Sequence, residues 1–259
     1  MKNADKDHPD SFVSTAETIK KDTRCSTEDL TFPADFNDFE KEIIQRVKPF
    51  TMTSPERIYS LIHAVRYVLD NNIEGSFVEC GVWRGGSMMA VALTLIANQS
   101  SNRHLYLFDT FEGMSPPSEV DISIVGERAQ EMLTSSVKSE EDFLWAYAPL
   151  DKVREALYST GYPQNRIIFV KGMVEETVPE KAPEKICVLR LDTDWYESTK
   201  HELTHLFPRL AIGGVLIIDD YGHWRGAKKA VDEYIQSNKV KIFLNRIDYT
   251  GRIAIKLCH

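Results

Sequence analysis

The chain has 259 residues, 42% of them hydrophobic, and a formal net charge of −8. That length suits one large α/β domain with some non-core extension, and an acidic balance without a basic patch argues against a nucleic-acid surface. The longest apolar stretch, Met88 to Ala97, is too short to cross a bilayer, and the opening residues lack the apolar centre of a signal peptide.

Residues 1 to about 35 are polar and without periodicity, which predicts a tail or a lid that orders on binding. Phe36 to Val47 has a helical stripe. Ser54-Pro55-Glu56-Arg57 reads as a helix start, with a serine cap and proline in the first turn. That helix carries Ile58, Leu61, Ile62, Val65, Val68 and Leu69 and stops near Asn71-Asn72. Phe77–Cys80 reads as a buried strand, followed by a glycine-containing turn and an apolar helix from Ser87. His104 to Phe108 is a second strand, ending at Asp109. Residues 112 to 165 form a long connection with helical pieces expected at Ser123–Leu133, Glu140–Trp145 and Leu150–Ser159.

Further strands are expected at Arg166–Val170, Ile186–Leu191 and Val215–Ile218, with helices at Glu197–Leu206 and Ala227–Gln236. Val240–Ile247 and Arg252–Leu257 flank the turn Asp248-Tyr-Thr-Gly251 as a closing hairpin. Strands alternating with helices predict a doubly wound, mostly parallel α/β sheet of seven strands, with the hairpin antiparallel at one edge. Four cysteines, Cys25, Cys80, Cys187 and Cys258, lie apart with no CxxC pair, as expected of reduced thiols in a cytoplasmic protein.

The turn Val78-Glu-Cys-Gly-Val-Trp-Arg-Gly-Gly-Ser87 has glycines at 81, 85 and 86 but tryptophan where a dinucleotide fingerprint needs its second glycine. A carboxylate at the strand end, Glu79, suits an ammonium better than a phosphate. S-adenosylmethionine offers an ammonium and a carboxylate, for which Glu79 and Ser87 are candidate partners. Asp109 is placed to accept both ribose hydroxyls.

Two apolar runs end abruptly in acid: Leu189-Arg-Leu-Asp192 and Val215-Leu-Ile-Ile-Asp-Asp220. In an open α/β sheet, ligands bind beyond the carboxyl ends of parallel strands, and neighbouring strands lie about 4.8 Å apart. Asp192, Asp219 and Asp220 are therefore candidate ligands of one hard cation, Mg2+, Mn2+ or Ca2+ rather than zinc. Such an ion makes a bound hydroxyl more acidic. Asp194 is the nearest spare carboxylate to take the proton, capping the next helix being its other reading, and His223 is a second candidate base.

With these residues in hand, the chain closely resembles the macrocin-type sugar O-methyltransferases from about Phe50 to its C-terminus. The carrying motifs are Thr51-Met-Thr-Ser-Pro-Glu-Arg57, Phe77 to Ser87, Phe108-Asp-Thr-Phe-Glu-Gly-Met114, Val170-Lys-Gly172, Leu191-Asp-Thr-Asp-Trp-Tyr-Glu-Ser-Thr199 and Ile218-Asp-Asp-Tyr-Gly222. The resemblance implies a class I methyltransferase fold, S-adenosylmethionine as donor, and Mg2+ (or Mn2+) dependent reaction at a sugar hydroxyl of a small natural product. It implies Asp192, Asp219 and Asp220 as metal ligands and Glu79, Gly81, Ser87 and Asp109 as donor-binding positions. Met52 and Thr53 are implied at the methionine end, Gly172 by the adenine, and Asp192 against the donor as well as the ion. Homodimers are implied, and the acceptor is expected to be read by the N-terminal 40 residues and the 112–165 insertion of a 41–259 catalytic domain. The alternatives are a catechol or phenolic O-methyltransferase, a nicotinamide-dependent oxidoreductase, and a non-catalytic scaffold.

Overall fold

Parallel strands covered on both faces are written as unbroken apolar runs. Ser76–Cys80 (β1) and Ile186–Leu191 (β4) are buried at every residue and apolar but for Ser76, Glu79 and Arg190, in the computed structural model, which describes residues 32–258. Leu105–Asp109 (β2), Ile167–Lys171 (β3) and Leu210–Ile218 (β5) complete the parallel set. The short Asn245–Arg246 (β6) and Arg252–Ile255 (β7) close the sheet, β7 lying antiparallel to β5. The seven strands run in the order β3-β2-β1-β4-β5-β7-β6, a doubly wound, mostly parallel sheet with the antiparallel hairpin at one edge, which is the class the alternation of elements predicts.

The helices are Asp38–Val47 (α1), Pro55–Asp70 (α2), Gly86–Ala97 (α3), Ala129–Ser135 (α4), Leu150–Tyr158 (α5), Val174–Thr177 (α6), Tyr196–Leu206 (α7) and Arg225–Ser237 (α8). Ser54 caps α2 by accepting the Arg57 N–H at 3.2 Å, with Pro55 in the first turn. Asn37 and Glu40 form a capping box at α1. Val78, Phe108, Leu189, Leu206, Leu216 and Val231 share one core between the sheet and the helices.

Strand order reverses at the β1–β4 pair, because β1 continues through α3 to β2 on one side while β4 lies on the other. A crevice opens at the carboxyl ends of such a pair. Cys80 stands beside Leu191 and Leu191 beside Ile218, so the residues that follow, Gly81, Asp192 and Asp219, meet at that edge.

The connection 112–165 departs from expectation in two of its three helical pieces; the third, expected at Leu150–Ser159, is α5. The helix expected over Ser123–Leu133 gives way to a turn, in which Ile122 bridges Arg128 and Gly126 has a φ of 93°; α4 follows only from Ala129. Glu140–Trp145 yields a single 3-10 turn at Phe143–Trp145, started by the Asp142 side chain accepting the Leu144 N–H at 2.9 Å. In the closing hairpin, Val240, Ile242 and Leu244 alternate onto the core, yet only Asn245 and Arg246 pair with β7. Period-two burial is a packing signal and does not require a ladder partner. The N-terminal tail up to residue 31, Cys25 included, lies outside the described residues; the last part of the span expected as a lid, from Asp38, is the start of α1. Cys80 and Cys187 are buried and unpaired, and Cys258 is exposed. No helix among the described residues is long and apolar enough to cross a membrane.

Candidate active site

Side chains two apart on a strand share a face. Arg190 therefore points the same way as Asp192, and it organises the crevice. Its guanidinium donates through Nη1 to Glu79 Oε1 at 2.8 Å and to Asp192, and through Nη2 to Thr53 Oγ1 at 2.9 Å and to Asp219. Only 3% of this side chain is exposed. One permanently charged fork thus joins β1, β4, β5 and the loop before α2. On the far side of Asp219, Arg57 donates through Nη1 to Oδ2.

Asp192, Asp219 and Asp220 each bring one carboxylate oxygen within 4.8 Å of the others, so the carboxylates expected to gather do so. The backbone enforces this: the Asp192 N–H donates to Cys80 O at 2.8 Å and the Asp219 N–H to Leu191 O at 2.9 Å. Burial pushes the Asp192 carboxyl well above the usual range; Arg190 opposes, and Asp219 and Asp220 push the same way as burial. Burial also raises Asp220, with Asp194 and Asp219 adding to it. Like charges at close quarters cost free energy until a cation compensates them. An all-oxygen donor set of this kind fits a hard divalent ion.

Asp194 sits beside this cluster with a left-handed backbone, φ 64°. Burial pushes its carboxyl up to about 7, the neighbouring Asp192 adds to the rise, and hydrogen bonding with Asp220 opposes it. It does not cap α7 through the first backbone amide: the Tyr196 N–H donates instead to Asp121 Oδ1 at 2.8 Å. His223, the second candidate base, is half-buried against Trp224, ring centroids 5.0 Å apart, and burial lowers its pKa.

Glu79 is 1% exposed, and its second oxygen, Oε2, finds no hydrogen-bond partner among the described residues. Burial raises its carboxyl to about 7 against the pull of Arg190. A buried acceptor left open beside the glycine turn is what a cationic ligand end would fill. Ser87 is buried at the start of α3, Thr53 is buried on Arg190, and Met52 is 47% exposed. Gly81 has a φ of 81°, and a Cβ there would lie 1.9 Å from Asp192 O, so this glycine is required by the approach of the two strand ends. Gly172 donates its N–H to Asp109 O at 3.0 Å, which puts these two expected donor positions side by side.

Asp109 has other partners than those expected. Its Oδ2 accepts the N–H groups of Val82 at 2.6 Å and Trp83 at 3.1 Å, and its Oδ1 that of Phe111 at 2.6 Å. The carboxylate holds the glycine turn in shape, and a ribose hydroxyl would have to share these acceptors.

A family model described as macrocin O-methyltransferase (TylF) matches residues 12–255. The chain belongs to this family. It is 33% identical, over 78% of its length and 73% of the relative's, to the 8-demethyl-8-(2,3-dimethoxy-alpha-L-rhamnosyl)-tetracenomycin-C 4'-O-methyltransferase of Streptomyces olivaceus. It is 31% identical, over the same shares of the two chains, to the demethyldecarbamoylnovobiocin O-methyltransferase of Streptomyces niveus. The solved structure of the O-methyltransferase NovP superposes with a TM-score of 0.69 and 29% identity, covering 81% of this chain and 83% of that one. The protein is therefore an O-methyltransferase of an S-adenosylmethionine-dependent family, and the oxidoreductase and scaffold alternatives drop out.

In this O-methyltransferase a further carboxyl lies beneath the rim. Glu202 on α7 is fully buried; Oε1 accepts the Thr193 hydroxyl at 2.9 Å and Oε2 has no hydrogen-bond partner among the described residues. It thereby fixes the residue between Asp192 and Asp194. Burial holds its carboxyl well above the usual range, so the folded chain keeps a proton that the unfolded chain releases above about 4.3. Folding stability then falls as pH rises through that window, by about 1.4 kcal/mol per pH unit for this group. Glu202→Gln keeps both the shape and the acceptor. Urea unfolding from pH 5 upward is expected to show a shallower fall of stability with pH in Glu202→Gln than in the unaltered chain; parallel slopes would mean that Glu202 is ionised in the fold.

Proposed function

We propose that the enzyme methylates a hydroxyl on a sugar moiety of a small natural product, with S-adenosylmethionine as donor and a divalent cation held by Asp192, Asp219 and Asp220. The convergence of those carboxylates at the strand-order reversal supports the reading. The sugar acceptor is drawn from the relatives, one named for a rhamnosyl-tetracenomycin. When bound, the donor supplies an electrophilic methyl group and the cation supplies Lewis acidity toward an alcohol oxygen.

The chain's own residues do the rest. Glu79 offers Oε2 to the ammonium end of the donor, beside Met52, Thr53 and Ser87. Gly81 and Asp109 shape the turn against which the donor lies, and Gly172 borders its far end. Asp194, with a pKa near neutrality, is suited to take the acceptor's proton. Trp195 and Trp224 are buried side by side, ring centroids 4.9 Å apart, and are backed by Met114, Leu144 and Trp145 of the 112–165 connection. We infer from this packing that the connection covers the acceptor side of the crevice and keeps water from the reacting oxygen.

The test is methyl transfer from labelled donor to a panel of glycosides and phenols, with and without chelator. Glycoside methylation that stops on chelation is expected. The rate should climb with pH up to about 7 or below, because Asp194 acts only when ionised and a cation beside it favours the ionised form. Transfer that survives chelation would remove the metal from this reading, and activity on phenols alone would remove the sugar.

A further inference from the structure

The acidic rim already has two internal cations, and they are held differently. Arg190 is locked by four acceptors on three strands and a loop, so moving it would strand Glu79. Arg57 has one contact on the rim, Asp219 Oδ2, and a second carboxylate away from it, Asp248 Oδ2, reached through Nε at 2.9 Å. Asp248 is itself rigid. Its Oδ1 accepts the N–H groups of Thr250 at 2.9 Å and Gly251 at 2.6 Å, and its Oδ2 also accepts the Ser54 hydroxyl at 2.8 Å.

The closing hairpin is shaped around the Arg57 side chain. A Cβ on Gly251 would stand 2.8 Å from Arg57 Cδ, so glycine lets the arginine stem pass. The Thr250 hydroxyl donates to Asp219 O at 2.7 Å, tying the same turn to the rim strand. With Arg190 on Oδ1 and Arg57 on Oδ2, both oxygens of Asp219 are engaged by guanidinium groups. A cation that shares Asp219 with Asp192 and Asp220 must win one of them, against the repulsion of a neighbouring positive charge.

We propose that Arg57 gates the acidic rim: its guanidinium competes with a divalent cation for Asp219, and Asp248 is the berth that retains it when the cation binds. This rests on the reading of the rim as a cation site. It assigns the closing hairpin a role in setting cation affinity. The fixed Arg190 keeps the carboxylates aimed, and the movable Arg57 sets how tightly they hold an ion.

The experiment is Mn2+ titration of the full chain, followed by the spectrum of the free ion, and needs no acceptor or turnover. Arg57→Gln is expected to bind Mn2+ at least about tenfold more tightly, since a competitor and a like charge are both gone. Arg57→Lys, which keeps the charge, should stay within about threefold of the unaltered chain. Asp248→Asn removes the second berth and should weaken binding by about threefold or more. A merely structural role would move Arg57→Gln and Asp248→Asn in the same direction. Arg57→Gln binding equally or more weakly than the unaltered chain overturns the gate and leaves the metal reading standing. Uptake by Arg57→Gln alone supports the gate in its strongest form, and no uptake by either chain overturns both readings. Should Arg57→Gln fail to fold, Arg57→Met takes its place against Asp248→Asn: tighter binding by Arg57→Met supports the gate, equal or weaker binding overturns it.

Discussion

Asp192→Asn is expected to lower the rate of methyl transfer by about a thousandfold or more while donor affinity stays within about threefold. A thousandfold corresponds to about 4 kcal/mol of lost transition-state stabilisation, within what a hard cation at a developing alkoxide supplies. Asparagine is the informative replacement. Asp192 accepts from Arg190 Nη1, so alanine would leave a buried guanidinium short of a partner and confuse a folding defect with a chemical one. An amide oxygen keeps that hydrogen bond and removes only the charge. Glu79, which is assigned to the donor, retains its own Arg190 contact at 2.8 Å. Turnover with labelled donor and calorimetry of donor binding separate the two effects. A loss of donor affinity equal to the loss of rate would show that Asp192 serves the donor and not the acceptor's activation.

The carboxylates were legible because each ends an apolar run, and runs of that kind are parallel strands whose carboxyl ends face the crevice. The strand order adds what the residues alone do not say: β1, β4 and β5 are neighbours, so ends far apart in the chain share one edge. Arg190 was hidden inside the run Leu189-Arg-Leu191, where it reads as an interruption of a strand. The available signal was its position two before Asp192, which puts both on one face. Arg57 and Asp248 carried only local signals, a helix start and a turn, and both local readings hold. Their pairing spans 191 positions and follows from the antiparallel docking of the closing hairpin on β5. Of the three helical pieces read in the 112–165 connection, the last holds as α5, whereas in the first two the apolar residues pack on Trp195, Trp224 and Ala227 in place of forming a long helical stripe. Asp109 carries a second task beside the one read from its place after β2: its carboxylate also accepts the amides of the tight glycine turn.

Arg190→Met should cost about 3–5 kcal/mol of folding stability at pH 8, the usual penalty for removing one partner of a buried ion pair. The side chain fits by length, so the loss is electrostatic: Glu79, Asp192 and Asp219 would face one another without the guanidinium they share. Carboxylates in that position respond by taking up protons. Glu79 already stands near 7 with Arg190 present, and without it the folded-state value rises further from the unfolded one. A carboxyl raised in the fold contributes stability below its unfolded pKa and loses it as pH climbs through the folded one. The variant's deficit should therefore shrink as pH falls from 8 to 5, as protons replace the missing cation. Arg190→Lys restores a charge but not the two-pronged fork, so it should recover part of the stability and leave some acceptors unmet. Urea unfolding of the three chains at both pH values measures this. A deficit under about 1 kcal/mol at pH 8, or one that does not change with pH, would show that the strand ends hold their carboxylates in place without Arg190.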